Sequence, residues 1–183
     1  MLISVLRSVA GASVAALVIS NPALAVDTSL PGGATSLREQ HADWTVICGV
    51  DKKDDKQTKN CILQQEQVRQ LENGPSQRVL AVEVQPKGKE ADAVLVLPLG
   101  LKLDKGAALQ IDDGKDIASN PYRTCLHAGC VVSVSADAKM VALLGKGKAL
   151  TVKTMTDDGK DANFTISLNG FQSAFDRAIE LQK

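Results

Sequence analysis

The chain has 183 residues, with 21 basic and 21 acidic side chains, two histidines, four cysteines, one Trp, one Tyr and three Phe. This length suits one compact domain. The formal net charge of zero removes the electrostatic case for nucleic-acid binding, which needs a concentrated basic surface. Hydrophobic and charged fractions of 44% and 23% are ordinary for a folded protein and exclude global disorder.

Residues 1–25 have the pattern of a secretory signal peptide. Arg7 supplies one positive charge, an apolar run follows over residues 9–19, and the small side chains of Ala23 and Ala25 end the segment. A membrane anchor is disfavoured, because a span needs about 20 apolar residues and this run is shorter. We therefore expect cleavage after Ala25, a mature chain that begins at Val26 without a transmembrane span, and a location in the periplasm, the outer envelope or the medium.

Export gives the four cysteines a specific meaning. Outside the cytosol, an even number of cysteines indicates disulfides, and Cys48, Cys61, Cys125 and Cys130 allow three pairings. Proximity in sequence favours Cys48–Cys61 and Cys125–Cys130. The alternative is a zinc site, because His127 lies between the last two cysteines. The spacing disfavours it, since structural zinc sites normally use tight pairs of ligands at both ends.

The beginning of the mature chain is predicted to be a flexible leader followed by a hairpin. Residues 26–42 contain a Pro-Gly-Gly sequence and no apolar period, which predicts the leader. Strands are predicted at Trp44–Cys48 and Cys61–Val68. Seven of the nine residues in Asp51–Lys59 are charged, so this segment is predicted to be a solvated loop between the two strands.

Short apolar patterns predict further strands through the middle of the chain. Alternation around Val82 is typical of a half-buried strand, and the continuous apolar run Ala93–Leu97 is typical of a strand covered on both faces. Alternating leucines from Leu99 to Leu103 follow. Three more predicted strands, at Ala107–Ile111, Val131–Val134 and Leu150–Met155, lie between Asp- and Gly-rich turns, and Asn163–Leu168 completes a hairpin with the last of them.

Two helices are predicted. Ser135 would cap a short helix that ends at Gly145, and Asn169 with Gln172 would cap a C-terminal helix. The apolar residues of the second helix share one face, namely Phe171, Ala174, Phe175, Ala178 and Ile179. The predicted fold is mainly β, an antiparallel β-sandwich or barrel with a short helix and a C-terminal helix packed on it. It would form one disulfide-linked domain over residues 43–183.

Catalytic motifs are not recognisable in the sequence. No Gly-x-Ser-x-Gly nucleophile motif occurs, and Gly145–Lys148 lacks the spacing of a phosphate-binding loop. Asp112-Asp113 and Asp157-Asp158 each precede a glycine, where aspartate favours turns. We therefore expect no enzyme activity, no catalytic residue, no cofactor and no metal site.

Six short motifs follow one another over most of the mature chain. They are Trp44-x-Val46-x-Cys48, Cys61, Leu97-Pro98-Leu99-Gly100-Leu101-x-Leu103, Ile111-Asp112, Cys125-x4-Cys130 with Gly129, and Leu168-x-Gly170-Phe171-x2-Ala174. Together they resemble the invasion-associated locus B family of exported bacterial proteins. The resemblance implies a mostly β domain of the Gram-negative periplasm or envelope, linked in pathogenic members to virulence through host-cell invasion. It implies no catalytic residues.

The function we expect is that of a non-enzymatic envelope protein that binds a macromolecular partner, either a host surface or a periplasmic or envelope component. A small-ligand or metal carrier and a cell-envelope enzyme are the alternatives. Loops on a rigid sheet commonly carry recognition. The charged Asp51–Lys59 segment and the Cys125–Cys130 turn are therefore the candidate binding surfaces.

Overall fold

The computed structural model describes residues 29–183, apart from 54–55, 71–73 and 75. Residues 1–28, including the predicted cleavage positions Ala23 and Ala25, lie outside this range. Within the described residues the chain forms eleven strands and two α-helices. They are β1 (Ser36–His41), β2 (Trp44–Lys53), β3 (Lys56–Arg69), β4 (Gln77–Lys87), β5 (Glu90–Leu97), β6 (Ala107–Ile111), β7 (Asp116–Asn120), β8 (Tyr122–Leu126), β9 (Gly129–Ala136), α1 (Ala138–Leu144), β10 (Ala149–Met155), β11 (Asp161–Ser167) and α2 (Phe171–Gln182).

The strands form two antiparallel sheets. The large sheet has the order β1-β2-β3-β4-β5-β9-β8, and the small sheet has the order β11-β10-β6-β7. Pro121 lies between β7 and β8, where the chain passes from one sheet to the other. The predicted mainly β fold, a sandwich with a short helix and a C-terminal helix packed on it, is confirmed.

The core lies between the two sheets. Leu80, Val82 and Val84 of β4 are buried, as the sequence pattern predicts, and Ala81 between them is buried as well. Val82 and Leu95 of the large sheet share one buried cluster with Leu109 and Val152 of the small sheet. Burial of each such side chain contributes about 1.5–3 kcal/mol relative to exposure. Within the predicted run on β5, Leu95 and Leu97 are buried and the other three residues are half-buried, so the prediction of a strand covered on both faces holds only in part.

The C-terminal helix α2 packs against the core through the predicted face. Phe171, Ala174, Phe175 and Ala178 are buried. The Phe171 ring meets Trp44 edge-on, with ring centroids 5.2 Å apart. The Trp44 indole N–H donates to the carbonyl of Ser167 at 2.9 Å, so this large side chain is buried with its polar group paired.

The predicted cap of α2 by Asn169 and Gln172 is wrong, because Gly170 is the N-cap residue and makes no side-chain cap. Gly170 has φ +87°, and a Cβ atom there would lie 2.1 Å from the carbonyl oxygen of His41. Only glycine lets the start of the helix approach β1 this closely.

The short helix α1 begins later than predicted. Ser135 remains in β9, and the Asp137 carboxylate caps the helix by accepting the Met140 backbone N–H at 2.7 Å. The predicted end of the helix at Gly145 is confirmed. Met140, Val141 and Leu144 are buried, and Leu143 is 45% exposed on another side of the helix.

The predicted flexible leader over residues 26–42 is wrong for its described part. Leu30 is buried, and Ser36–His41 forms β1, which pairs along its whole length with β2. The sequence of β1 is polar because the strand lies at the edge of the sheet, where only Leu37, Glu39 and His41 are partly covered. Backbone pairing and contact with α2 therefore order a segment that has no apolar period.

The predicted loop at Asp51–Lys59 is also wrong for its described part. Strands β2 and β3 continue through it, with Asp51 opposite Thr58 and Lys53 opposite Lys56. The charged residues 51 and 52 are exposed, so charge marks a solvated strand end here and not a loop. The alternating leucines after β5 likewise form no strand, since Leu101 makes a single bridge to Thr156.

Candidate functional site

The Cys125–Cys130 turn lies at one end of the large sheet and closes the hairpin of β8 and β9. Cys125 is opposite Cys130 and Leu126 is opposite Gly129, so His127 and Ala128 form a two-residue turn. The sulfurs of Cys125 and Cys130 are bonded at 2.03 Å. This turn is therefore held by a covalent link and by strand pairing together.

Gly129 sets the position of this turn against the neighbouring strand. It has φ +135°, and a Cβ atom would lie 2.2 Å from the carbonyl oxygen of Leu97 on β5. Glycine at this position lets the turn lie directly against the end of β5. His127 and Ala128 thereby come together with Pro98 and Leu99, which follow β5, around one groove.

The groove has a volume of about 410 Å³ and exposed apolar side chains around it. Leu99 lines the groove, while Leu126 lies next to His127 in the turn, and the two leucines are 58% and 59% exposed. Arg78 also lines the groove and is paired with Val68 of β3, which is 61% exposed. We call Val68, Arg78, Leu99, Leu126 and His127 the hairpin-end surface. Large exposed apolar side chains grouped in this way are typical of protein interaction sites.

The chemistry of the hairpin-end surface favours binding. Its groove contains the Ser76 hydroxyl, the Arg78 guanidinium and the His127 imidazole, and none of the described residues that line it is a carboxylate. Ser76 donates its hydroxyl proton to Gln70 at 2.6 Å, and Arg78 donates to Glu66. Ser76 is thus not hydrogen-bonded to His127 as a nucleophile to its base, which is the arrangement that acyl transfer requires.

The second sulfur pair lies within the hairpin of β2 and β3. Cys48 is opposite Cys61, and their sulfurs are bonded at 2.02 Å. Because all four sulfurs are in disulfides, the His127 segment offers no thiolate for zinc. Among the described residues, no group of three His, Cys, Asp or Glu side chains could hold a metal ion. None of their helices has the length and apolarity that a membrane crossing demands.

The sequence pattern predicts the Cys125–Cys130 turn as a candidate binding surface, but it does not predict the exposed apolar residues around that turn. Its alternation with Leu101 and Leu103 predicts a strand at Leu99, and the apolar pattern predicts only a strand end at Val68. The signal that could have found them is their position, since Leu99 stands between Pro98 and Gly100 and Leu126 directly precedes the turn. Apolar side chains at turns are less often covered by a second layer.

A sequence model of the family described as "Invasion associated locus B (IalB) protein" matches residues 44–178. The chain belongs to the invasion-associated locus B family. The match includes both disulfides and every residue of the hairpin-end surface. The family is named for invasion and not for a catalysed reaction.

Relatives from two bacterial genera resemble this member of the invasion-associated locus B family over most of its length. An invasion protein B homologue of Brucella abortus (strain 2308) is 43% identical over 159 residues, which cover 85% of this chain and 86% of that protein. Invasion protein B of Bartonella bacilliformis is 33% identical over 159 residues, covering 85% and 81%. The crystal structure of invasion associated protein b from Bartonella henselae matches with a TM-score of 0.69 and 30% identity, over 80% of this chain and 97% of that one.

Proposed function

We propose that this member of the invasion-associated locus B family is an exported, non-enzymatic protein of the bacterial envelope that binds a protein partner through the hairpin-end surface. The proposal includes removal of residues 1–25 by cleavage after Ala25. The partner is a component of the envelope or of a host-cell surface. The names of the Brucella and Bartonella relatives, which refer to invasion, support the second possibility.

The observation that carries the proposal is a groove lined by exposed Leu99 beside a turn that is held by a disulfide and that is preceded by exposed Leu126. Interfaces obtain much of their affinity from a few apolar anchors on a rigid frame, because little side-chain and loop entropy is then lost on binding. Leu126 and Cys125 are adjacent, so the disulfide limits the motion of an anchor residue directly.

The alternative function, that of a small-ligand carrier, receives less support, because the cavity between the two sheets is small. An apolar cavity between the sheets, lined by Trp44, Leu109, Met140 and other core residues, has a volume of about 30 Å³. Pockets for small ligands are usually about 300–1,000 Å³. A cavity of this size has room for little more than a water molecule or two.

Photo-crosslinking in cells of the source bacterium tests the binding surface. A photoreactive amino acid at Leu126 in the full chain is expected to give a discrete adduct that excess unlabelled protein suppresses and that Leu99→Ser weakens. Arg38, exposed on β1 at the opposite edge of the large sheet, is the matched control position and is expected to give no such adduct. The same smear of products from both positions would refute a specific surface.

Fractionation of the same cells tests export. We expect the protein in the periplasmic or envelope fraction with Val26 as its first residue, both disulfides formed, and no unclipped form. An uncleaved, reduced protein in the cytoplasmic fraction would refute the proposed location, whatever the crosslinking result.

A further inference from the structure

A second exposed groove lies between the turn that joins β6 and β7 and the C-terminal end of α1. It has a volume of about 320 Å³ and a mostly apolar lining. Ile117, from β7, is 39% exposed, and Leu143, from α1, is 45% exposed. These two side chains, from elements far apart in sequence, line one recess together with Ile111. The recess is large enough for one or two side chains of a partner.

A bulge in β7 sets Ile117 apart from its strand neighbours. Ala118 is paired with Leu109 of β6 and Asp116 with Gln110, so Ile117 has no opposite residue. Such an extra residue bends the strand and re-aims the side chain. Ile117 is the residue of β7 that lines the groove, and Lys115, just before the strand, lines it too. The neighbouring Asp116 accepts a hydrogen bond from Lys153 of β10 in the same sheet.

Two lysines and one carboxylate line this groove. Lys115 and Lys146 line it, and neither makes an ion pair within the described part of the chain. Asp112 is the carboxylate in the lining, and one of its oxygens accepts the backbone N–H groups of Lys148 and Ala149, each at 2.9 Å. Asp113 lies in the same turn, outside the lining. The two lysines therefore remain available to an anionic partner.

We propose that this groove, which we call the lysine-rimmed groove (Ile111, Lys115, Ile117, Leu143 and Lys146), binds a segment of a partner protein in which an apolar side chain is flanked by carboxylates. The apolar side chain enters between Ile117 and Leu143, and the carboxylates meet the two lysines. A recess fits a protruding side chain, whereas a flat bilayer would contact projecting residues. The partner chemistry is thus that of an acidic, apolar peptide.

A peptide-display selection on the purified, disulfide-bonded mature chain tests the proposal. The library fixes two adjacent apolar positions and randomises the two on either side. We expect Asp and Glu to be enriched at the flanking positions, and backbone NMR shifts with a selected peptide to map to β7 and the end of α1. Enrichment of Lys and Arg, or no enrichment, would overturn the proposal.

Variants of the residues that line the groove test whether a selected peptide binds there. Leu143→Ser, at an exposed position, is expected to weaken a selected peptide about tenfold, as loss of an interface anchor does. Lys115→Gln with Lys146→Gln is expected to weaken it several-fold and to reduce its salt dependence. Arg38→Gln on β1 and Leu103→Ser, at a 50% exposed position before β6, are the matched controls, and neither should change the affinity.

Two further outcomes count against the proposal. Equal binding by the Leu143→Ser chain would place the peptide elsewhere. Binding of the mature chain to phosphatidylglycerol vesicles through Lys115 and Lys146, with no peptide enriched, would assign the groove to a membrane surface instead. The crosslinking test at Leu126 concerns a different surface, so either proposal can fail without the other.

Discussion

Arg177 of α2 donates two parallel hydrogen bonds to Glu39 of β1, from Nε to Oε2 at 2.8 Å and from Nη2 to Oε1 at 2.9 Å. The remaining guanidinium nitrogen donates to Glu180 at 2.9 Å. Among the described strands β1 is the end strand of its sheet and pairs with β2 alone, so this ion pair gives it a second attachment. The side chains of Arg177 and Glu39 are 27% and 30% exposed, so solvent screens the contact only in part.

The first prediction concerns the shape of the arginine. Arg177→Lys keeps the charge but loses the two-pronged geometry, so we expect the free energy of unfolding to fall by about 1 kcal/mol. Urea denaturation measures this. Arg38→Lys, at an exposed position of the same strand, is the control and should leave the midpoint unchanged. Equal effects of the two variants would mean that the two-pronged geometry of Arg177 adds no stability.

The second prediction concerns pH. Hydrogen bonding from Arg177 lowers the pKa of Glu39 below its ordinary value of 4.5, with further lowering by the charge of Arg177 and by His41, while burial opposes the shift. The contribution of this contact to stability is therefore fully present above pH 4.5 and disappears as the pH falls through the lower, folded-state pKa. We expect the difference in unfolding free energy between the wild-type chain and Glu39→Gln to shrink below pH 4.5. A difference that stays constant or grows in acid would contradict this assignment.

The third prediction compares the two disulfides. Cys48 and Cys61 are 13 residues apart in sequence and Cys125 and Cys130 are 5 apart. Because a longer closed loop restricts the unfolded chain more, removing the first link with two alanines should cost about 3 kcal/mol and removing the second about 2 kcal/mol. Denaturation under non-reducing conditions measures both losses, with mass spectrometry to verify the remaining bond. Wild-type stability in both double variants would exclude a stabilising role.

The fourth prediction distinguishes two ways in which replacing a glycine lowers stability, namely a steric clash of the new Cβ atom and the strain of a positive φ angle. Gly170→Ala should destabilise the chain by more than Gly88→Ala, because both residues have positive φ but only Gly170 would bring a Cβ atom against backbone, 2.1 Å from the His41 carbonyl. The strain of positive φ alone costs about 1 kcal/mol. Thermal unfolding compares the two variants directly. Equal losses would show that α2 can move away from β1 freely.

Much of the core follows from local pattern. Alternation around Val82 requires one face of β4 to be apolar, and the 3.6-residue period through Phe171 and Phe175 requires the same of α2. These patterns hold regardless of what each element packs against. The two cysteine pairs are likewise close in sequence, and the hairpins they cross-link bring their sulfurs together.

Local pattern fails where a neighbour supplies the stabilisation. Residues 36–41 form a strand because β2 offers a free edge and Arg177 holds Glu39, neither of which is visible in the polar sequence of β1. The sequence predicts Ser135 as the helix cap, but Ser135 is paired with Asp92 of β5 and so remains part of the strand. The helix therefore begins two residues later, with Asp137 as its cap. Strands β7 and β8 were missed because their residues are mostly exposed at the ends of the two sheets.

The amino-acid sequence by itself determined the mainly β class, the apolar face of the last helix and membership of the invasion-associated locus B family, because these depend on residue types at fixed spacings. The tertiary structure alone decided which apolar side chains stay in contact with water. Leu143 and Ile117 are 26 positions apart, and Val68 and Leu126 are farther apart still. Whether such residues become core or surface depends on how the two sheets pack. That packing is the result of many contacts between residues that are far apart in sequence, so no short segment of the sequence predicts it.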